Sequence, residues 1–138
     1  MPLPRIVEKP HGVRFDGRVS SKVGVGYATG DGGTVTQITN RTTGVTLNTL
    51  AGAITTNNAS LAAEATADFV VTNSKVAIED TVVLSMRSGS NGGGTLVNVI
   101  GVANGSFTIR VHNGNVAAGT AETGAIVINF AVIKAAVS

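Results

Sequence analysis

From residue 30 onward, apolar and polar positions alternate in short runs. Residues 35–39 (VTQIT) and 44–48 (GVTLN) show the period of two expected of a strand with one buried face. Residues 53–56 add a short strand. Residues 57–65 hold the one helix-like composition, Leu61, Ala62, Ala63, Glu64 and Ala65. So short a helix is marginal alone, and the run predicts a turn or at most one helical turn. Strands are predicted at 68–72, 81–87, 95–103, 106–113 and 125–134. Gly101 predicts a bulge within its strand. Asn104-Gly105 predicts a hairpin with a type I′ turn. The strand that follows separates Phe107, Ile109 and Val111 from Thr108, Arg110 and His112 on opposite faces. Residues 125–134 are apolar at successive positions, which predicts a central strand buried on both sides. Residues 88–94 (SGSNGGG) predict a flexible loop and residues 114–124 a long one. About eight strands joined by Gly-, Asn- and Thr-rich turns give an all-β expectation: a two-sheet antiparallel sandwich, jelly-roll-like.

The first 26 residues break this pattern. Pro2, Pro4 and Pro10 oppose a helix or a central strand. Apolar Leu3, Ile6, Val13 and Phe15 are interspersed with Arg5, Lys9, Arg14, Arg18 and Lys22. An extended arm over residues 1–26, ahead of a β-sandwich domain over 27–138, fits this change. Such an arm can lie across a partner, placing apolar anchors and positive charges in turn. Gly24, Gly26, Gly30 and Gly33 read as a hinge between arm and body.

Composition supports the division. The 138 residues suit a single domain, and the apolar fraction of 43% argues for a packed core. Val, Ile and Thr fit a pleated sheet, and aromatics are only 4%. With no cysteine, disulfides and thiolate metal sites are excluded. No apolar run approaches the ~20 residues of a membrane-spanning helix, so no membrane partner is expected. Nor does the N-terminus show the apolar core of an export signal. The formal charge of +2 is uneven: residues 1–22 carry net +3 and the rest net −1.

Candidate chemistry is sparse. His11 and His112 are far apart in sequence, and nothing predicts a metal site or cofactor around either. Glu79 and Asp80 are adjacent, but neighbours on an extended chain point apart, so they do not form a shared-proton dyad. Asp80, just before a strand, reads as a turn former. The glycine clusters at 24–26 and 30–33 lack the helix that a phosphate-binding loop opens. No Gly-x-Ser-x-Gly elbow occurs. The arm's charges are widely spaced with few aromatics between them, so nucleic-acid binding is not expected. The chain is expected to be non-catalytic.

Several runs together carry a resemblance. They are VGYATGDGGTVTQ at 25–37, TGVTLN at 43–48, GAITT at 52–56, FVVTNS at 69–74 and VINFAVIK at 127–134. In this order and spacing they resemble a small β-domain of tailed-bacteriophage and prophage virion structural proteins, over about residues 23–135. The arm is not part of the likeness. The resemblance implies a module of head-decoration, head-fibre-like or tail-fibre-tip proteins, with no activity and no cofactor. The first expectation is a homotrimeric capsid decoration protein on the outer surface of the phage head. Its arm residues Leu3, Arg5, Ile6, Lys9, Val13, Arg14, Phe15, Arg18 and Lys22 would bind the major capsid protein. The alternative is a tail-fibre tip or receptor-binding module, with loops 88–94 and 114–124 touching the host.

Overall fold

The computed structural model describes residues 6–9, 12–116 and 118–135, with the backbone alone over 6–9 and 12–15. It is all-β. Near the N-terminus, β1 (Ile6–Lys9) and β2 (Gly12–Phe15) pair antiparallel as a sheet of their own, Ile6 opposite Phe15 and Lys9 opposite Gly12. The arm is therefore not one extended run, because the chain reverses direction between Lys9 and Gly12. Its β-branched and aromatic residues, Ile6, Val7, Val13 and Phe15, favour strands on either side of that reversal.

The body has eight strands: β3 (Gly32–Thr36), β4 (Val45–Thr46), β5 (Ala51–Thr55), β6 (Thr66–Thr72), β7 (Thr81–Ser88), β8 (Thr95–Ala103), β9 (Ser106–Asn113) and β10 (Val127–Ile133). They form two four-stranded sheets, ordered β3-β5-β10-β7 and β4-β6-β9-β8. The sandwich expected from the alternation is present, and each predicted strand has its counterpart. Most pairs are antiparallel, but β3–β5 and β4–β6 are parallel. The cause is connectivity. Successive strands from β3 to β6 alternate between sheets, so each returns to its own sheet running as before.

The inward positions fill the space between the sheets. Phe69, Val71, Phe107, Ile109 and Val111 from one side meet Ile54, Ile128, Phe130 and Val132 from the other. Phe107 and Phe130 meet across the layers, with ring centroids 5.4 Å apart and planes inclined at 54°. Such tilted pairs satisfy the quadrupoles of both rings. Alternation in β9 is complete, with Phe107, Ile109, Val111 and Asn113 buried between half-buried neighbours.

Local signals fared unevenly. The β8 ladder shifts register between Val99 and Gly101, the bulge that Gly101 predicted. Residues 62–65 close as a turn through Ala65 N–H to Ala62 O, 3.1 Å, with Glu64 at φ 60°. The Asn104-Gly105 hairpin exists, but only Gly105 of the pair has positive φ, so its turn is not type I′. Its docking explains the departure. Asn104 Oδ1 accepts from Ile78 N–H at 3.0 Å, and Gly105 N–H donates to Val76 O at 2.9 Å. Strand β10 is central, as expected, but it is buried on one face. Ile128, Phe130 and Val132 are in the core, whereas Asn129 and Ile133 are exposed. No second layer covers the outer face of its sheet among the described residues.

Candidate functional site

Two of the body's buried charged residues, Glu122 and Arg41, lie at one end of the sandwich, where two predicted loops meet. Glu122, fully buried, stands in the second of them. Its Oε2 accepts from Ser90 Oγ at 2.5 Å, Thr95 Oγ1 at 2.5 Å and Gly92 N–H at 3.0 Å. Its Oε1 accepts from Gly124 N–H at 2.7 Å and Asn91 N–H at 3.1 Å. Burial pushes this carboxyl up. The donors from Ser90, Thr95 and the Asn91 and Gly124 amides outweigh burial and bring it down to about 2, from an ordinary 4.5. A carboxylate with five donors is a structural anion whose lone pairs are all engaged.

Arg41 supports the same end from below. Its guanidinium, on a residue only 3% exposed, donates to Ala59 O, to Thr56 Oγ1 at 3.2 Å, to Glu122 O at 3.1 Å and to Gly124 O at 2.9 Å. Burial lowers its pKa, and Glu122 partly opposes this. The two charges meet through the Glu122 backbone carbonyl, not by a direct ion pair. Asn113, also fully buried, donates to Leu61 O at 3.0 Å and Thr120 O at 2.8 Å. The backbones of the two loops approach so closely that a Cβ on Gly124 would lie 1.8 Å from Gly89 O.

Residues 88–94 are therefore pinned, not flexible. Glycine allows this close approach and leaves amide donors free to face the carboxylate. At the other end, buried Asp80 accepts from Ala77 N–H at 2.8 Å, Ala135 N–H at 3.1 Å and Lys134 Nζ. It closes the turn before β7, as its position suggested, and also anchors the end of β10. Lys134 holds its carboxyl below the usual range; burial opposes this, and the two amides add to it.

The outer faces of the two sheets differ. On the β3-β5-β10-β7 sheet, Gly32, Ala51, Ala131 and Val83 form one cross-strand row. Thr34, Ala53, Asn129 and Ser85 form the next. No charged side chain stands in either. On the other sheet, Asp68 and Arg110 face each other directly with bidentate contacts of 2.8 and 2.7 Å. Beside them, Thr66, His112 and Leu96 share a row. His112 is half-buried, and its Nδ1 is buried without a hydrogen-bond partner.

Of the arm residues proposed as contacts, Leu3 and Arg5 lie outside the described residues, as does His11. Ile6 and Lys9 fall on β1, and Val13, Arg14 and Phe15 on β2. Arg18 and Lys22 are exposed, within a run from Asp16 to Gly30 that is exposed throughout. Sequence reasoning missed Arg41 and Glu122, whose partners lie 15 to 83 and 27 to 32 residues away apart from neighbouring Gly124. One signal was available. Arg41 is the lone base between residues 23 and 74, and Glu122 the lone acid after Asp80. Charges that isolated do little for solubility and suit an internal role.

Among the described residues, no group of three or more His, Asp or Glu side chains could hold a metal ion. None of their helices is long and apolar enough to cross a membrane. No family model matches this chain, and neither a curated protein nor a solved structure matches it.

Proposed function

We propose that this chain is a non-catalytic structural protein of a tailed-phage particle, carried on the outer surface of the head as a homotrimer. In this reading residues 1–22 grip the major capsid protein. The observation that supports it is a division of labour among the charges. Inside the body, Glu122, Arg41 and Asp80 hold loops and a strand end in place. Ahead of the first body strand, Arg18, Val19, Lys22, Val23 and Val25 are exposed. A rigid body with an exposed basic and apolar leader suits attachment to a surface. The resemblance over residues 23–135 points to the same kind of particle.

The mechanism is linkage. A protein that binds only the assembled shell stabilises it by mass action. Three leaders on one trimer raise the effective concentration of each at the shell. Arg5, Lys9, Arg14, Arg18 and Lys22 would pair with coat carboxylates, and Leu3, Ile6, Val13 and Phe15 would fill coat pockets.

Antibody labelling of the particle in the electron microscope tests the location. Regular label over the head is expected. Label confined to the tail would replace this reading with a tail-fibre tip, in which the two loops joined by Glu122 form a preorganised host-contact surface. Deleting residues 1–22 should abolish attachment to heads while leaving a folded body by circular dichroism. Attachment that survives the deletion would remove the leader from the mechanism.

A further inference from the structure

The hairpin signal Asn104-Gly105 is one of three Asn-Gly pairs in the chain, with Asn91-Gly92 and Asn113-Gly114. Such pairs carry a chemistry of their own. The glycine amide nitrogen attacks the asparagine Cγ, forming an N–Cγ bond. The Cγ–Nδ2 bond breaks, and the amide proton leaves with the ammonia. Water then opens the succinimide at either carbonyl, giving aspartate or isoaspartate. The net exchange is ammonia out and water in, with one negative charge gained. Asparagine is thermolabile for this reason, and glycine, without a Cβ, leaves its amide unshielded. In a fold, two things oppose the attack. One is an acceptor on the glycine N–H, which must give up its proton. The other is a set of bonds that hold the asparagine side chain away from its own backbone.

The three pairs are guarded unequally. Asn113 is fully buried. Its Nδ2 donates to Leu61 O and Thr120 O, its Oδ1 accepts from Asn115 N–H at 3.2 Å, and Gly114 N–H donates to Gly94 O at 3.0 Å. Conversion there would also leave a buried carboxylate facing two carbonyl oxygens, at high cost. Asn91 is exposed, yet both ends of its amide are tied to one residue. Its Nδ2 donates to Thr123 Oγ1 at 2.6 Å, and its Oδ1 accepts from Thr123 N–H at 2.9 Å. Gly92 N–H donates to the Glu122 carboxylate at 3.0 Å. Such a charge-assisted bond is roughly twice as strong as a neutral one, and loss of the proton would set two negative charges side by side. Asn104 has neither safeguard. It is exposed at the hairpin tip. Its Oδ1 accepts from Ile78 N–H, and Gly105 N–H donates to Val76 O, both neutral partners. Its Nδ2, the group that leaves, has no partner among the described residues.

We propose that Asn104 is a site of spontaneous modification, converting through the Gly105 amide to aspartate and isoaspartate, while the folded loops seal Asn91 and Asn113. Water is the sole co-reactant. The hairpin tip docks on residues 76–78 through these same groups. Isoaspartate adds a methylene to the backbone and undoes that docking. The inference stands apart from the function proposed above.

Ageing of the full chain at mildly alkaline pH, followed by peptide mapping and isoaspartyl methyltransferase labelling, tests it. In denaturant the three pairs should convert at similar rates. In the folded protein Asn104 should convert about thirtyfold more slowly than in denaturant, the factor set by two neutral hydrogen bonds. Asn91 and Asn113 should be slower than folded Asn104 by about tenfold or more. Asn104→Gln, whose longer side chain does not close the five-membered ring, should remove the new acidic species on ion exchange. Thr123→Val, at another exposed position, frees the Asn91 Nδ2. It should speed conversion at Asn91 by about fivefold and leave Asn104 unchanged. Folded Asn104 that is as slow as Asn91 and Asn113 overturns the proposal, as does an acidic species that persists unchanged in Asn104→Gln. Equal acceleration of all three pairs in Thr123→Val would mean that global unfolding sets the rates, and overturns it too.

Discussion

Two of the body's acid–base neighbourhoods are opposites. Asp68 and Arg110 touch directly, bidentate, on a sheet face where their side chains are 36% and 41% exposed. Glu122 and Arg41 are buried, and their charged groups bond to loop backbone and hydroxyls instead of to each other. Geometry alone would rank the first pair higher. Burial reverses the ranking. An exposed pair exchanges water for a partner at little net gain, whereas a buried charge depends on every donor or acceptor around it. The Glu122 carboxylate could lose its network only by becoming an unsatisfied anion or a neutral acid. The loops that supply its donors are tied to it for the same reason.

The sharpest way to break this comparison is Glu122→Gln. The amide matches the shape but offers donors where Ser90, Gly92 and Thr95 also donate. We expect a loss of about 3–5 kcal/mol, the range for disrupting a buried charge network, measured by denaturant unfolding. The acid response should identify the cause. The folded carboxyl titrates near 2 and its ordinary value is 4.5. A depressed carboxyl stabilises the fold fully above its unfolded value. That stability disappears as pH falls from about 4.5 towards 2. Wild type should lose roughly 3 kcal/mol through this window on account of Glu122. Asp80, also depressed, adds to the loss. Glu122→Gln should show a shallower acid dependence. Equal slopes in the two proteins would mean that the buried carboxylate is not what holds the loops.

Gly124→Ala probes the same clamp without touching a charge. A Cβ there would meet Gly89 O at 1.8 Å and Glu122 Oε1 at 2.9 Å, so backbone must move. Overpacking of this kind costs about 1–3 kcal/mol. Heightened hydrogen exchange at the Asn91 and Gly92 amides should accompany it, because those donors lose their aim. Destabilisation without such local opening would place the strain elsewhere.

These two sites also show what the sequence could and could not reveal. Strands announce themselves through alternation of near neighbours, so 106–113 could be divided into faces and Gly101 assigned a bulge. Strand direction is not local. The pattern of β3 is the same whether it pairs parallel or antiparallel with β5, and the alternation of the chain between sheets decides. Residues 88–94 looked flexible because glycine predicts freedom. Their fixation comes from a carboxylate some thirty residues later. Residues 125–134 looked buried on both faces because apolar composition does not distinguish a covered face from an open one. On the arm, spacing suggested a single extended run, whereas pairing of Ile6 with Phe15 brings together residues nine apart, which alternation does not encode.

The smallest effect should come from the exposed pair in direct contact, Asp68 and Arg110. Arg110 holds the Asp68 carboxyl below its usual range by hydrogen bonding, against the effect of burial. Solvent around both side chains discounts that shift as a source of stability. Asp68→Asn should therefore cost less than about 1 kcal/mol, and what it costs should shrink in high salt. The double variant Asp68→Asn with Arg110→Gln should recover most of even that, measured as the coupling in a double-mutant cycle. A coupling above about 2 kcal/mol, unchanged by salt, would mean that the pair is shielded in solution by something packed on this face. A small, salt-sensitive coupling leaves the ion pair as a solvated feature of an open face and keeps the contrast with Glu122 intact.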